Sequence, residues 1–91
     1  MYGPVESLIR DTLATYHRLY GLEHFRTLEA SLSLMEILVL RDKFDEASAL
    51  YGQVFPTCKR VLGPSHHITL HISRMPQYIQ VRREGKALGY C

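Results

Sequence analysis

Two segments of the chain resemble each other at a fixed separation. Residues 19–28 read LYGLEHFRTL and residues 61–70 read VLGPSHHITL, so that each matched pair lies 42 residues apart. A period of roughly 20–50 residues is the signature of a solenoid, in which one supersecondary unit stacks on the next. The matched pairs are Gly21 and Gly63, His24 and His66, Thr27 and Thr69, and Leu28 and Leu70.

The length of the chain limits how much of a solenoid it can form. Its 91 residues hold barely two copies of the period and make one small domain. Solenoids need about three repeats before stacking outweighs chain entropy. We therefore expect either a piece of a longer array or a chain that associates with itself.

Charge, hydropathy and cysteine spacing indicate which class of protein the chain belongs to. The net charge of +2 is too small to indicate a nucleic acid or a membrane surface. No stretch reaches the ~18 apolar residues of a membrane helix, and the start of the chain lacks the apolar run of a signal peptide. Cys58 and Cys91 have no framework spacing, which predicts reduced thiols in a cytoplasmic protein.

Apolar residues recur at helical spacing through most of the chain. The pattern predicts four helices with short connections and no strand. The second helix is apolar almost all round, which predicts neighbours on more than one side. The predicted helices span residues 5–20, 25–41, 44–61 and 68–82, and residues 83–91 are predicted to be a frayed tail.

Two prolines fall inside predicted helices. Pro56 lacks the amide that would bond the Gly52 carbonyl, so we expect a kink but no break in the third helix, whose apolar stripe continues past it. Pro76 opposes the Ile72 carbonyl in the same way, and we expect the fourth helix to be kinked or split. Asp42 is placed to cap the start of the third helix.

The repeated motif resembles that of a known family. The pattern Leu-Gly-x-x-His-x-x-Thr-Leu, the segment RDKFDEASALY at 41–51 and the segment KRVLGPSH at 59–66 are similar to tetratricopeptide repeats of the kinesin light chain type. The sequence departs from the family at Phe25 and His67, where the family usually has proline, and at Asp42, where it has a turn glycine.

This resemblance implies an all-α fold, an α-α superhelix. The chain would be a tetratricopeptide-like solenoid fragment of about two repeats and four helices. Residues 5–20 would be the second helix of one repeat, residues 25–61 a full repeat, and residues 68–82 the first helix of the next.

No constellation in the sequence favours catalysis, a metal or another cofactor. His67 and His71 are four residues apart, but Ile68 stands where a metalloprotease needs glutamate and no third ligand is fixed nearby. Cys58 falls on an apolar stripe and is predicted to be a buried thiol. His24 and His66 recur at the repeat period and are predicted to cap or pack the starts of helices. We predict that the chain is not an enzyme.

The resemblance also implies a binding surface, because the first helix of each repeat lines the concave groove in this family. A cationic and aromatic face there favours an acidic peptide. The alternative is a solvated face on a structural end segment that has no ligand of its own. The predicted peptide-binding residues are Glu29, Leu32, Glu36 and Val39 on the second helix and His71, Arg74, Tyr78 and Arg82 on the fourth.

The fourth helix also carries an apolar stripe that no later helix covers. An uncovered stripe at the end of a solenoid is a docking surface. We therefore expect a protein or peptide partner, and either self-association or continuation into a longer array. The stripe consists of Leu70, Ile72, Ile79 and Val81.

Overall fold

A computed structural model describes residues 2–87 of the chain, and in this range it contains helices and no strand. The prediction of an all-α fold is confirmed. Two of the four predicted helices have nearly the predicted bounds, the first begins two residues earlier, and the fourth is split in two. The helices are α1 (Gly3–Tyr20), α2 (Phe25–Leu40), α3 (Phe44–Val61), α4 (His67–Ser73) and α5 (Met75–Ala87).

Helix α2 is the centre of the packing, because it contacts each of the other four helices. Nine of its 16 residues are buried, which matches its nearly continuous apolar sequence. On one side Leu28 and Met35 join a cluster with Cys58 of α3 and Ile72 of α4. A second cluster joins α2 to Ala47 of α3 and to Ile79 of α5, with side chains of α1 packed against it.

The repeated motif builds the same joint twice. Gly21 and Gly63 have φ values of 85° and 93°, a region that L side chains rarely adopt, and so each ends a helix at little steric cost. The Nδ1 atoms of His24 and His66 then accept a hydrogen bond from a backbone N–H two residues later, at 3.1 Å in both cases. The predicted structural role of these two histidines is confirmed.

The turn between α2 and α3 differs from the sequence prediction in the role of Asp42. Asp42 has a φ of 62°, so it occupies the left-handed position for which the related family uses glycine. The residue that precedes α3 is Lys43, and no side chain caps that helix. Asp42 is therefore not the N-cap that the sequence predicts, because its backbone ends the preceding turn.

The two prolines have different consequences. Helix α3 runs without a break through Pro56, as predicted. The predicted fourth helix is split at Arg74, whose N–H bonds the His71 carbonyl only three residues back, at 3.2 Å. The split lies just ahead of Pro76, which has no N–H to continue the helical ladder. The prediction of a frayed tail from residue 83 is wrong as far as Ala87, where α5 ends; residues 88–91 lie outside the described range.

A buried carboxylate joins α1 to the turn between α2 and α3. Glu6 is 6% exposed and accepts hydrogen bonds from Arg10 Nε at 2.8 Å, Arg41 Nη1 at 2.6 Å and Lys43 Nζ at 3.1 Å. The bond from Arg10, followed by those from Arg41 and Lys43, outweighs desolvation and lowers the pKa of Glu6 from 4.5 to about 2. This carboxylate is ionised in the folded protein at any ordinary pH.

We expect Glu6→Gln to lower the free energy of unfolding by about 2–3 kcal/mol at pH 7, because the three cations lose their shared anion. Since the folded pKa is depressed, this stabilisation is complete above pH 4.5 and disappears as the pH falls toward 2. Urea unfolding at pH 7 and pH 3 measures it: the difference between the two proteins should be clearly smaller at pH 3 and should vanish only when the pH approaches 2.

The control for this comparison is Glu23→Gln. Glu23 also pairs with an arginine, Arg60, at 2.6 Å, but both side chains are about 60% exposed, so solvent screens the pair. Its loss should change stability little. Equal effects of the two substitutions at pH 7 would show that Glu6 is not the anchor of α1.

A second prediction concerns Pro56, which is exposed within the continuous helix α3. Pro56→Ala restores the N–H that can bond the Gly52 carbonyl and should stabilise the fold by up to ~3 kcal/mol. Thermal unfolding measures the change. A clearly less stable alanine variant would mean that the packing of α3 requires the proline.

Candidate functional site

A groove runs between α2 and the α4–α5 segment. It encloses about 500 Å³ and is open to solvent along one side. One residue of α2 forms one wall, and α4 and α5 supply the rest. The lining residues are Glu36, His67, Leu70, His71, Arg74, Met75 and Tyr78.

Four of the eight predicted site residues meet in this groove: Glu36, His71, Arg74 and Tyr78. His71 Nε2 lies 3.3 Å from Glu36 Oε2, and both side chains are about half exposed. When the imidazole is protonated, this contact is an ion pair that bridges α2 and α4. The carboxylate of Glu36, the acidic residue of the groove, therefore contacts the imidazole of His71.

Arg74 is a cationic residue of the groove whose guanidinium can bind a ligand. It is exposed, and within residues 2–87 no carboxylate lies within ion-pair distance of it. Apolar surface surrounds it: Met75 is buried at 3% exposure, while Leu70 and Tyr78 are exposed by 46% and 37%. An exposed guanidinium beside a half-open apolar surface can bind a carboxylate and an adjacent apolar group together.

The other four predicted residues lie elsewhere. Leu32 and Val39 do not reach the groove, because their side chains are 7% and 0% exposed and belong to the core. Glu29 is exposed on α2 but does not line the groove. Arg82 approaches Asp42 Oδ1 at 4.0 Å and so faces the turn between α2 and α3.

Three lining residues are not among the predicted site residues. His67 and Leu70 carried usable signals, since His67 is one turn from His71 and Leu70 is apolar at an uncovered position. Met75 also carried one, because it lies four residues after His71 and three before Tyr78. Helical spacing alone therefore places all three beside the predicted site residues.

A second groove, of about 520 Å³, lies between α1 and α3 with α2 as its floor. Leucines dominate its walls, and its one cationic residue, Arg10, already binds Glu6 and Glu46. The sequence does not predict this groove. It offers apolar surface without a charged group that is available to orient a ligand.

The described part of the chain offers little for catalysis. Cys58 is fully buried, and burial raises the pKa of its thiol, which disfavours the reactive thiolate. Among residues 2–87 no cluster of three or more His, Cys, Asp or Glu side chains could hold a metal ion. Within the same range no helix has both the length and the apolarity needed to span a membrane.

Comparison with protein families agrees with the fold. The family model of the tetratricopeptide repeat matches residues 36–68, which run from the end of α2 through α3 to the start of α4. No curated protein and no solved structure gives a significant match. The match and the stacked helices support a tetratricopeptide repeat protein. Such repeats form a non-enzymatic family that generally mediates protein–protein interaction.

Proposed function

We propose that this chain is a protein-interaction module that binds an acidic peptide in the groove between α2 and α4–α5. The observation that carries the proposal is Arg74, an exposed guanidinium with no carboxylate partner in the described structure, in the same groove as the exposed apolar surface of Leu70 and Tyr78. The 42-residue period and the Leu-Gly-x-x-His-x-x-Thr-Leu motif favour repeats of the kinesin light chain type. The proposed location is the cytoplasm, where Cys58 stays a free thiol.

The charges of the groove favour an acidic ligand in spite of Glu36. That carboxylate lies against His71 at 3.3 Å, so its repulsion of a peptide anion weakens when His71 is protonated. Arg74 can then donate two parallel N–H···O bonds to the carboxylate of a peptide Asp or Glu. A neighbouring apolar side chain of the peptide would cover Tyr78 and Leu70, and the phenol of Tyr78 can still reach a polar partner.

A structural role is the second candidate. Leu70 and Val81 are 46% and 59% exposed on α4 and α5, which is typical of a repeat that continues into a further helix. In that case the chain is a scaffold segment with no ligand of its own. The two candidates differ in a measurable property, because only the first predicts selective peptide binding by an isolated chain.

The first test of the peptide site compares Arg74→Ala with Arg82→Ala. Both variants lose one positive charge, but only Arg74 lines the groove, while Arg82 faces Asp42. We expect Arg74→Ala to weaken binding of an acidic peptide pool about tenfold or more, since hydrogen bonds between charged groups are the strong ones. Arg82→Ala should bind like wild type.

Fluorescence anisotropy at low protein concentration measures this, with a basic peptide pool as the specificity control. Rising salt should weaken the acidic interaction, because the groove is open to solvent. If neither pool binds wild type, or if the two alanine variants behave alike, the groove is not a peptide site and the scaffold role is favoured.

The second test uses pH. Histidine is the side chain whose charge normally changes near neutral pH, and two histidines, His67 and His71, line the groove. We expect the acidic peptides to bind about threefold more tightly at pH 6, a modest gain because Glu36 and solvent screen the new charge. Binding isotherms at the two pH values give the ratio.

His71→Gln should remove most of this pH dependence. The matched control is His17→Gln, which removes an exposed histidine from α1, outside the groove. His67 also lines the groove and accounts for any dependence that remains. A pH response that is unchanged in His71→Gln would assign the effect to another group.

A further inference from the structure

Helices α1 and α3 occupy equivalent positions in the repeat. Each is followed by a glycine with positive φ and then by a helix with a histidine N-cap. The two glycines, Gly21 and Gly63, and the two histidines, His24 and His66, are 42 residues apart. Helix α1 therefore packs on α2 in the way that α3 packs on α4 and α5. The residue of α1 that corresponds to any residue of α3 is found by subtracting 42.

Helix α3 has a second face, which packs on α2, and the corresponding face of α1 is bare. In α3 this face includes Ala47, Leu50 and Val54, of which Ala47 is 0% and Val54 8% exposed. The counterparts of Ala47 and Leu50 in α1 are Val5 and Leu8, which are 42% and 65% exposed. Only Glu6 is buried among the 18 residues of α1. Within the described structure, α1 lacks the helix on which a second helix of this repeat rests.

The other end of the stack lacks the complementary helix. The α4–α5 segment occupies the position relative to α3 that α2 occupies relative to α1. Leu28 of α2 is 2% exposed beneath its neighbours, whereas its counterpart Leu70 in α4 is 46% exposed. Val81 of α5 is bare as well, at 59%. In residues 2–87, nothing takes the place on α4–α5 that α3 takes on α2.

We propose that two copies of this chain associate head to tail, with α1 of one copy packing on the α4–α5 segment of the next. The docked α1 would follow the same 42-residue register in which α3 packs on α2, so the superhelix continues across the junction. Each bare face then covers the other. Such a heterologous contact leaves both ends of the assembly open and adds copies in a row.

We expect the contact to be weak, with a Kd on the order of 100 μM, because few large apolar side chains contribute to it. The weight-average mass in sedimentation should therefore rise steadily with concentration and should not stop at a dimer. The contact can form without a bound peptide, since Val5, Leu8 and Val81 do not line the groove. Leu70 does line it, so a peptide and a second copy compete for that one side chain.

Two charge substitutions test the polarity of the contact. Leu8→Arg blocks the α1 face and Val81→Arg blocks the α4–α5 face, and both side chains are so exposed that the fold should tolerate the change, which circular dichroism checks. The association constant of each variant alone should be at least about tenfold lower than that of wild type, because a charge is placed in an apolar contact. An equimolar mixture should regain it, through the intact α1 of Val81→Arg and the intact α4–α5 of Leu8→Arg.

The recovered species should be a dimer that does not grow, because its two outer faces are both blocked. The control is Leu22→Arg, which changes a side chain that is 64% exposed but lies in the turn after α1, and it should associate like wild type. If Val81→Arg alone associates like wild type, α1 pairs with itself and the proposal is wrong. A folded wild-type chain that stays monomeric at ~1 mM, ten times the expected Kd, also overturns it.

Discussion

The fold depends on the burial of α2 from several sides. Met35 and Val39 of this helix are fully buried, and α2 contacts every other helix. A helix with so little polar surface has no stable state alone in water, since its apolar side chains must be covered by neighbours. The surrounding helices are therefore required by the sequence of α2, and their arrangement follows from the identical joints at Gly21 and Gly63.

Apolar burial alone would not fix how α1 lies on that centre, because most of α1 is exposed. The Glu6 carboxylate provides the specific contact, since it gathers Arg10 from its own helix and Arg41 and Lys43 from the α2–α3 turn. That turn is held in its tight form by the positive φ of Asp42. One buried anion thus connects the first helix to the centre of the repeat, and replacing Glu6 and its three cations by apolar groups would remove this specificity.

The sequence predicts the helices and the turns between them well, but only half of the predicted site residues lie in the groove. The joints are local: glycine conformation and a histidine cap depend on residues within a few positions. The groove wall depends on which faces of α2 are covered, and Leu32 is lost to the core because α4 packs over it. The spacing of His71, Arg74, Tyr78 and Arg82 assumes one continuous helix. His71, Arg74 and Tyr78 line the groove in spite of the split at Arg74, whereas Arg82, on α5 together with Tyr78, faces Asp42.

The groove and the bare end of the stack share the same short helices. Helix α4 has only seven residues, so its stability comes from packing on α2 and α3 and not from its own length. A second copy packed against Leu70 and Val81 would hold α4–α5 in place, and with it Arg74 and Tyr78 of the groove. A peptide bound in the groove would cover Leu70 and so exclude the second copy from that side chain. Because coupling between two binding events is reciprocal, association and peptide binding would then weaken each other by the same factor.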